Sequence, residues 1–262
     1  MSTTTLVTKS EVNYWEKEEK EGRASLSASS VNTLYTLNDQ PFHPDKTLLI
    51  HAHGVRALRL PLPSRELEIA ITGPDGHLAY LSTRDRICSG NSVLSSPKLG
   101  DLIRTEYFFG PNRDPVLHLL QTTEPGHEEI RLRGEWTSRS VRFVSPSGSQ
   151  LRWYYAREKR PDGRKVNLII LSAVADADGP SQKSVQTPQR LAQLSRCDET
   201  RTPQTSRCHA GNGGALQMDS EALRAHGLDE SVVVATCMVM LKKEIDRRRL
   251  VQMMIIAGAA SS

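Results

Sequence analysis

The sequence predicts a mainly β fold: a closed antiparallel β-barrel-like domain around one buried hydrophobic C-terminal α-helix. Three observations carry this prediction. Apolar and polar residues alternate from about Val31 to Ala173 with the period of half-buried strands. Turns of the form Pro-x-Gly separate the alternating runs. Finally, Val232 to Leu241 is apolar almost all round, as befits a helix surrounded by protein.

Residues 1–30 read as a disordered tail that mixes Lys and Glu (Lys17 to Glu21) and ends in the Ser/Ala-rich run Ser25 to Ser30. That stretch has neither the apolar core of a signal peptide nor the acid-poor composition of a mitochondrial presequence. Residues 31–257 are assigned to a single domain, and 258–262 to a short C-terminal tail. In the first half of the domain, Leu67, Ile69 and Ile71 point one way, and Glu66, Glu68 and Thr72 the other. Further on, Ile130, Leu132 and Trp136 oppose Glu129, Arg131, Arg133 and Glu135. Val141 and Phe143 oppose Arg142, and Leu151, Trp153 and Tyr155 oppose Arg152. Val166 to Leu171 is apolar enough for a strand buried on both faces.

The turns are Pro74-Asp75-Gly76, Pro146-Ser147-Gly148 and Pro161-Asp162-Gly163. Proline presets φ for such a turn and glycine supplies the positive φ that follows. Leu67 to Ser82 and Val141 to Ala156 share the plan of strand, turn, strand. Internal duplication or the ordinary grammar of hairpins accounts for that likeness.

Past Ala173 the pattern breaks into loops at 173–187 and 199–214, the second rich in Thr, Ser, Pro and Gly and expected to be mobile. Between them Pro188 to Arg196 suits a short amphipathic helix capped by Thr187. Ala215 to Met218 suits a last strand. Val232 to Leu241 then starts after Asp229 and Glu230 and ends at the basic-rich block Lys242 to Arg249, charges that complement a helix dipole. Three consecutive valines leave a buried strand as the alternative. As a helix, it directs Val234 and Met238 into the core. The run is about half the roughly 20 residues a bilayer-spanning helix requires, so no transmembrane segment is expected. A second apolar stretch, Leu250 to Ala260, comes only after the charged block.

Motifs for chemistry are few. His51 and His53 stand two apart on an expected strand and share a face, but no third ligand follows at a recognisable spacing. Cys197 and Cys208, with His209, have the wrong spacing for a zinc knuckle and read as free thiols. No Gly-x-Ser-x-Gly elbow is present, and Ser89-Gly90-Asn91-Ser92 lacks a strand-to-helix setting. Gly211-Asn212-Gly213-Gly214 precedes a strand and lacks the lysine of a phosphate loop. Glu128 and Glu129 are merely adjacent. A non-enzymatic protein without metal or cofactor is expected, in the cytoplasm and without a secretory route, its cysteines reduced.

One charge signal stands out. Ten basic residues lie between Arg131 and Lys165, opposed by the three acids Glu135, Glu158 and Asp162, in a chain whose net charge is +4. Alternation turns Arg131, Arg133, Arg142 and Arg152 outward on successive strands, where antiparallel neighbours would gather them into one patch. Guanidinium groups match phosphate geometry, so anionic lipid headgroups are the expected partner. Nucleic acid suits the same face, and a solvated surface is the plain alternative. In that case the domain is a soluble interaction or scaffold protein that meets protein partners through its loops.

The organisation resembles the tubby C-terminal-like superfamily, which includes the LURP-one-related proteins and the phospholipid scramblases. The likeness rests on the hairpins around Gly76, Gly148 and Gly163 followed by the apolar segment Asp229 to Leu241. The text also looks like an uncharacterised fungal group through Ser89 to Ser95, Tyr107 to Pro115 and Leu241 to Arg249. The resemblance implies a barrel of about twelve strands around one hydrophobic helix, and binding of phosphoinositides or action at membranes. No ligand residue of the family maps onto a position here.

Overall fold

Alternating segments become strands because each buries one row of side chains and turns the other to water. The computed structural model describes residues 42–56, 66–87, 89–108, 113–121, 129–134, 139–159, 165–174 and 188–260. All of them belong to one compact unit, Asp39–Ser262. The expected tail at 1–30, the Pro161 turn, Trp136 and the loop at 175–187 lie outside the described residues.

In chain order the strands are β1 (Lys46–Ile50), β2 (Glu68–Thr72), β3 (Leu78–Thr83), β4 (Ser92–Ser96), β5 (Gly100–Glu106), β6 (Val116–Leu119) and β7 (Glu129–Arg131). They continue with β8 (Arg133–Gly134), β9 (Val141–Val144), β10 (Gln150–Lys159), β11 (Lys165–Ala173), β12 (Arg190–Ser195) and β13 (Ala215–Met218). Neighbours in the sheet are neighbours in the chain, except that β1 pairs with β13 and so joins the beginning of the sheet to its end. Every pairing is antiparallel.

The two ends of the strand order, β7 and β8, are separated in the chain by Leu132 alone. β7 bonds to β6 and β8 bonds to β9. The sheet therefore curls until it is nearly closed into a barrel, which removes most of the exposed edge. Gly76 at φ +80° and Gly148 at φ +90° make the β2–β3 and β9–β10 turns. Both conformations favour a residue without a Cβ.

Two helices follow the last strand: α1 (Ser220–Ala225) and α2 (Glu230–Ala260). Asp219 caps α1 by accepting the Ala222 N–H at 2.9 Å. At the start of α2, Glu230 accepts the Tyr80 hydroxyl at 3.0 Å and pairs with Lys46. Val232, Val233, Val234, Ala235, Cys237, Val239, Met240 and Leu241 are all buried in one core with Leu48, Ile71, Ile103, Leu117, Phe143, Trp153 and Leu216. A nearly closed sheet leaves little free ladder for a further strand, and the valine run satisfies its backbone within a helix. Within the core, the Trp153 indole N–H donates to the Thr236 hydroxyl at 3.0 Å, which donates in turn to the Val233 carbonyl at 3.0 Å. The barrel interior is filled by its own helix.

Three sequence expectations are corrected. Pro188 to Arg196 is not a helix: residues 190–195 form β12, which bridges β11 and β13. Over so short a run, Leu191, Ala192 and Leu194 suit either period, and the unfilled place in the sheet decides. The helix does not end at the charged block but runs through it to Ala260, so the expected tail at 258–262 is helical through residue 260. The 199–214 loop is not wholly mobile, because its end is packed inside. Thr202 donates to the Ile50 carbonyl at 3.1 Å, and Ala210 to Gly214 are buried. Gly213 fits only because it lacks a Cβ, which would lie 1.9 Å from the Ile50 carbonyl oxygen.

Candidate anion-binding face and barrel mouth

The arginines singled out by alternation sit where strand pairing sums their charge. Arg133 lies opposite Arg142, and Arg142 lies opposite Arg152, across β8, β9 and β10. Side chains in such positions start about 5 Å apart at Cβ. Arg131 is two residues back from Arg133 on the same outward row, at the β6 seam opposite Val116. The inward residues of this wall, Ile130, Leu132, Val141, Phe143, Leu151 and Trp153, are buried. Arg131, Arg133 and Arg142 are exposed, and Arg152 is half-buried. The structure thus brings three of the four arginines into one transverse row and leaves the fourth beside it.

Arg152 ends the row differently. Its guanidinium stands 5.7 Å from the Tyr154 ring centroid, within cation–π reach. Its Nε is shielded from water and has no hydrogen-bond partner among the described residues. Glu129, the nearest acid along the β7 row, contacts His118 at 3.2 Å, and His118 also reaches Glu106 at 3.3 Å. Like charges placed directly opposite on a sheet repel.

A second group of charges escaped the sequence reading, which took Lys242 to Arg249 as the end of the helix. These residues lie at a barrel mouth and meet partners from distant elements. The Tyr107 hydroxyl donates to Asp246 at 2.7 Å, and Lys242 donates to the other oxygen of the same carboxylate at 2.7 Å. Arg196 grips Glu244 through two nitrogens at 2.7 and 2.9 Å, and the Gly211 N–H donates to Glu244 at 2.9 Å. Burial alone would raise the Glu244 pKa, but the Arg196 charge and these hydrogen bonds hold it below the ordinary carboxylate value. Burial pushes the Tyr107 hydroxyl up, reinforced by Asp246, and pushes Lys242 down against the pull of Asp246. The Lys242/Asp246 spacing of one helical turn was the available signal. The partners in Tyr107, Arg196 and Gly211 left none.

Beside this cluster is a cavity of about 50 Å³, lined by Glu66, Arg84, Tyr107, Met238 and Lys242 among others. That is room for a few waters, far below the roughly 300–1,000 Å³ of ordinary small-molecule sites. Of its charged neighbours, Lys242 pairs with Asp246 and Glu66 contacts His53.

The remaining candidates are dispersed. His51 and His53 follow β1 and take separate partners, Thr72 at 2.8 Å and Glu66 at 3.0 Å. Cys208 is exposed, and Cys197 lies 3.1 Å from the Thr200 hydroxyl. Cys237 is fully buried, and burial pushes its thiol up to about 12. Among the described residues no three metal-ligating side chains come together, and no helix is long and apolar enough to cross a membrane. Comparison with protein-family models, with curated proteins and with solved structures finds no match for this chain.

Proposed function

We propose that this protein is a non-enzymatic binding module that associates with anionic, phosphoinositide-type membrane lipid through the sheet face bearing Arg131, Arg133, Arg142 and Arg152. The observation that carries the reading is the register Arg133–Arg142–Arg152, which sets three arginines side by side across adjacent strands. Guanidinium forks bind phosphate oxygens in pairs. A basic side chain near an anionic leaflet contributes on the order of 1 kcal/mol. The filled interior supports a function carried on the outside of the barrel. The resemblance to tubby-like proteins favours lipid phosphate over the phosphates of nucleic acid.

The test is vesicle co-sedimentation with neutral and with phosphoinositide-containing liposomes. The four arginines, changed together to Gln, should lower the affinity for anionic vesicles by up to roughly a thousand-fold, as four such contributions would. Binding by the native protein should weaken as salt screens the face. Equal sedimentation of both proteins would assign the arginines to solvation alone. A preference for nucleic acid over vesicles would redirect the reading to that polyanion.

A further inference from the structure

The inner wall of the barrel turns polar where the strands reach the mouth. Deeper in, the inward rows carry Ile71, Leu94 and Ile103, all buried. Nearer the mouth the same rows present Ser82 on β3, Ser92 on β4 and Thr105 on β5, with Ser92 directly opposite Thr105. Arg84 follows Ser82 by two residues. Together with Lys242 of α2, these side chains line the cavity of about 50 Å³. Ser82 and Thr105 are each 5% exposed, and among the described residues neither hydroxyl makes a hydrogen bond. Buried hydroxyls are ordinarily hydrogen-bonded, and polar residues that break a core row are expected at functional sites.

Charge sets the class of ligand. Half-buried Arg84 turns its guanidinium to the cavity and makes no side-chain hydrogen bond or ion pair among the described residues. Burial is the first cause that lowers its pKa, while Glu66 and Asp246 pull it up and Arg249 pushes it down. Lys242 is lowered by burial too, held up by Asp246 and repelled by Arg249 and Arg84. Both carboxylates have donors of their own. Glu66 accepts the His53 N–H and contacts its ring, each at 3.0 Å. Asp246 accepts from Tyr107 and Lys242, each at 2.7 Å. Three cations, Arg84, Lys242 and Arg249, against these two carboxylates leave one positive charge at the cavity. A guanidinium beside hydroxyl donors is a set that an oxyanion accepts from. Volume limits the ligand further. At about 10–15 Å³ for each water, this space admits a compact ion of four oxygens but no organic tail. We propose that the cavity binds a small free oxyanion of the phosphate or sulfate kind, held by Arg84, Ser82 and Thr105, with Lys242 adding charge. Because these groups come from β3, β5 and α2, the ion ties the helix to the wall. The site shares no residue with the arginine face and stands or falls separately.

Isothermal titration of the full chain with inorganic phosphate, at fixed ionic strength in chloride, tests it. The native protein is compared with Arg84→Gln, with Ser82→Ala and with the quadruple arginine variant of the outer face. The native protein should bind one phosphate saturably, and its melting temperature should rise with phosphate, as mass action requires of a ligand held by the folded state. Arg84→Gln should weaken binding by at least about ten-fold, the worth of one charge-assisted hydrogen bond. Ser82→Ala leaves every charge in place and should weaken it several-fold, which gives the reading even if Arg84→Gln fails to fold. The quadruple variant should bind as the native protein does, so this site can hold where the proposed lipid face fails. Glycerol phosphate, which carries the same group on an organic tail, should bind at least about ten-fold more weakly than the free ion. Absence of saturable binding at millimolar phosphate would overturn the proposal. So would equal affinity in the native, Arg84→Gln and Ser82→Ala proteins, loss of binding in the quadruple variant alone, or glycerol phosphate binding as tightly as phosphate.

Discussion

Replacing Val234 by Asp puts a carboxyl at the centre of the barrel, on a residue with 0% exposure. Three contributions add. Losing the buried valine costs about 1.5–3 kcal/mol, and placing an unpartnered polar group in the core costs about 1–3 kcal/mol. The third is charge. If burial lifts the new carboxyl about three units above its ordinary 3.9, the penalty at neutral pH is about 4 kcal/mol, at 1.36 kcal/mol per unit. The sum, about 6–10 kcal/mol, is comparable with the whole stability of an ordinary domain, about 5–15 kcal/mol. Val234→Asn carries the first two contributions without the third, and Val234→Ala carries little beyond the first. Urea unfolding followed by circular dichroism should rank them Ala, Asn, Asp in rising cost near pH 7. The pH dependence has a definite sign. A folded-state pKa above the unfolded one makes the charge penalty complete above the folded pKa, and it vanishes below about pH 4. The Asp–Asn gap should therefore close in acid. A native-like melting temperature for Val234→Asp, or a gap that ignores pH, would refute the buried-helix account. Met238 differs from the sequence expectation: it is only half-buried and lines the cavity with Arg84 and Lys242. Met238→Asp should accordingly cost less than Val234→Asp.

Removing the Thr236 hydroxyl as Val leaves the Trp153 indole N–H unsatisfied in the core, and should cost about 1–3 kcal/mol in urea unfolding. Thr236→Ser should recover most of that loss, and equal stability of the Val and Ser variants would contradict the hydrogen bond. Glu244→Gln leaves the Arg196 charge buried without its counter-ion and should cost about 3–5 kcal/mol. Because the folded Glu244 pKa is held below its unfolded value, its contribution is complete above about pH 4.3 and is lost as pH falls through the folded pKa. Thermal melts of the native and Gln proteins should therefore converge in that acid range. A constant difference between them would count against the pairing.

Much of the wall was legible in the chain because strand burial has period two. Ile130/Leu132, Val141/Phe143 and Leu151/Trp153 point inward as alternation requires, and that parity alone turned Arg131, Arg133, Arg142 and Arg152 outward. The turns at Gly76 and Gly148 were legible because positive φ is a local demand. Val232 to Leu241 was legible as buried because no rotation of it presents a polar face. Tertiary structure decided what depends on partners far away in sequence. Alternation sets the face of a residue but not its register, so only the pairings Arg133–Arg142 and Arg142–Arg152 made three of the four outward arginines into a row. The short run 190–195 became a strand because β11 and β13 left a place to fill. The charged turns of α2 stayed helical because Tyr107, Arg196 and Gly211, from three distant segments, supply partners for Asp246 and Glu244. A local pattern records how a residue meets water. Which groups stand opposite it is fixed only when the barrel closes.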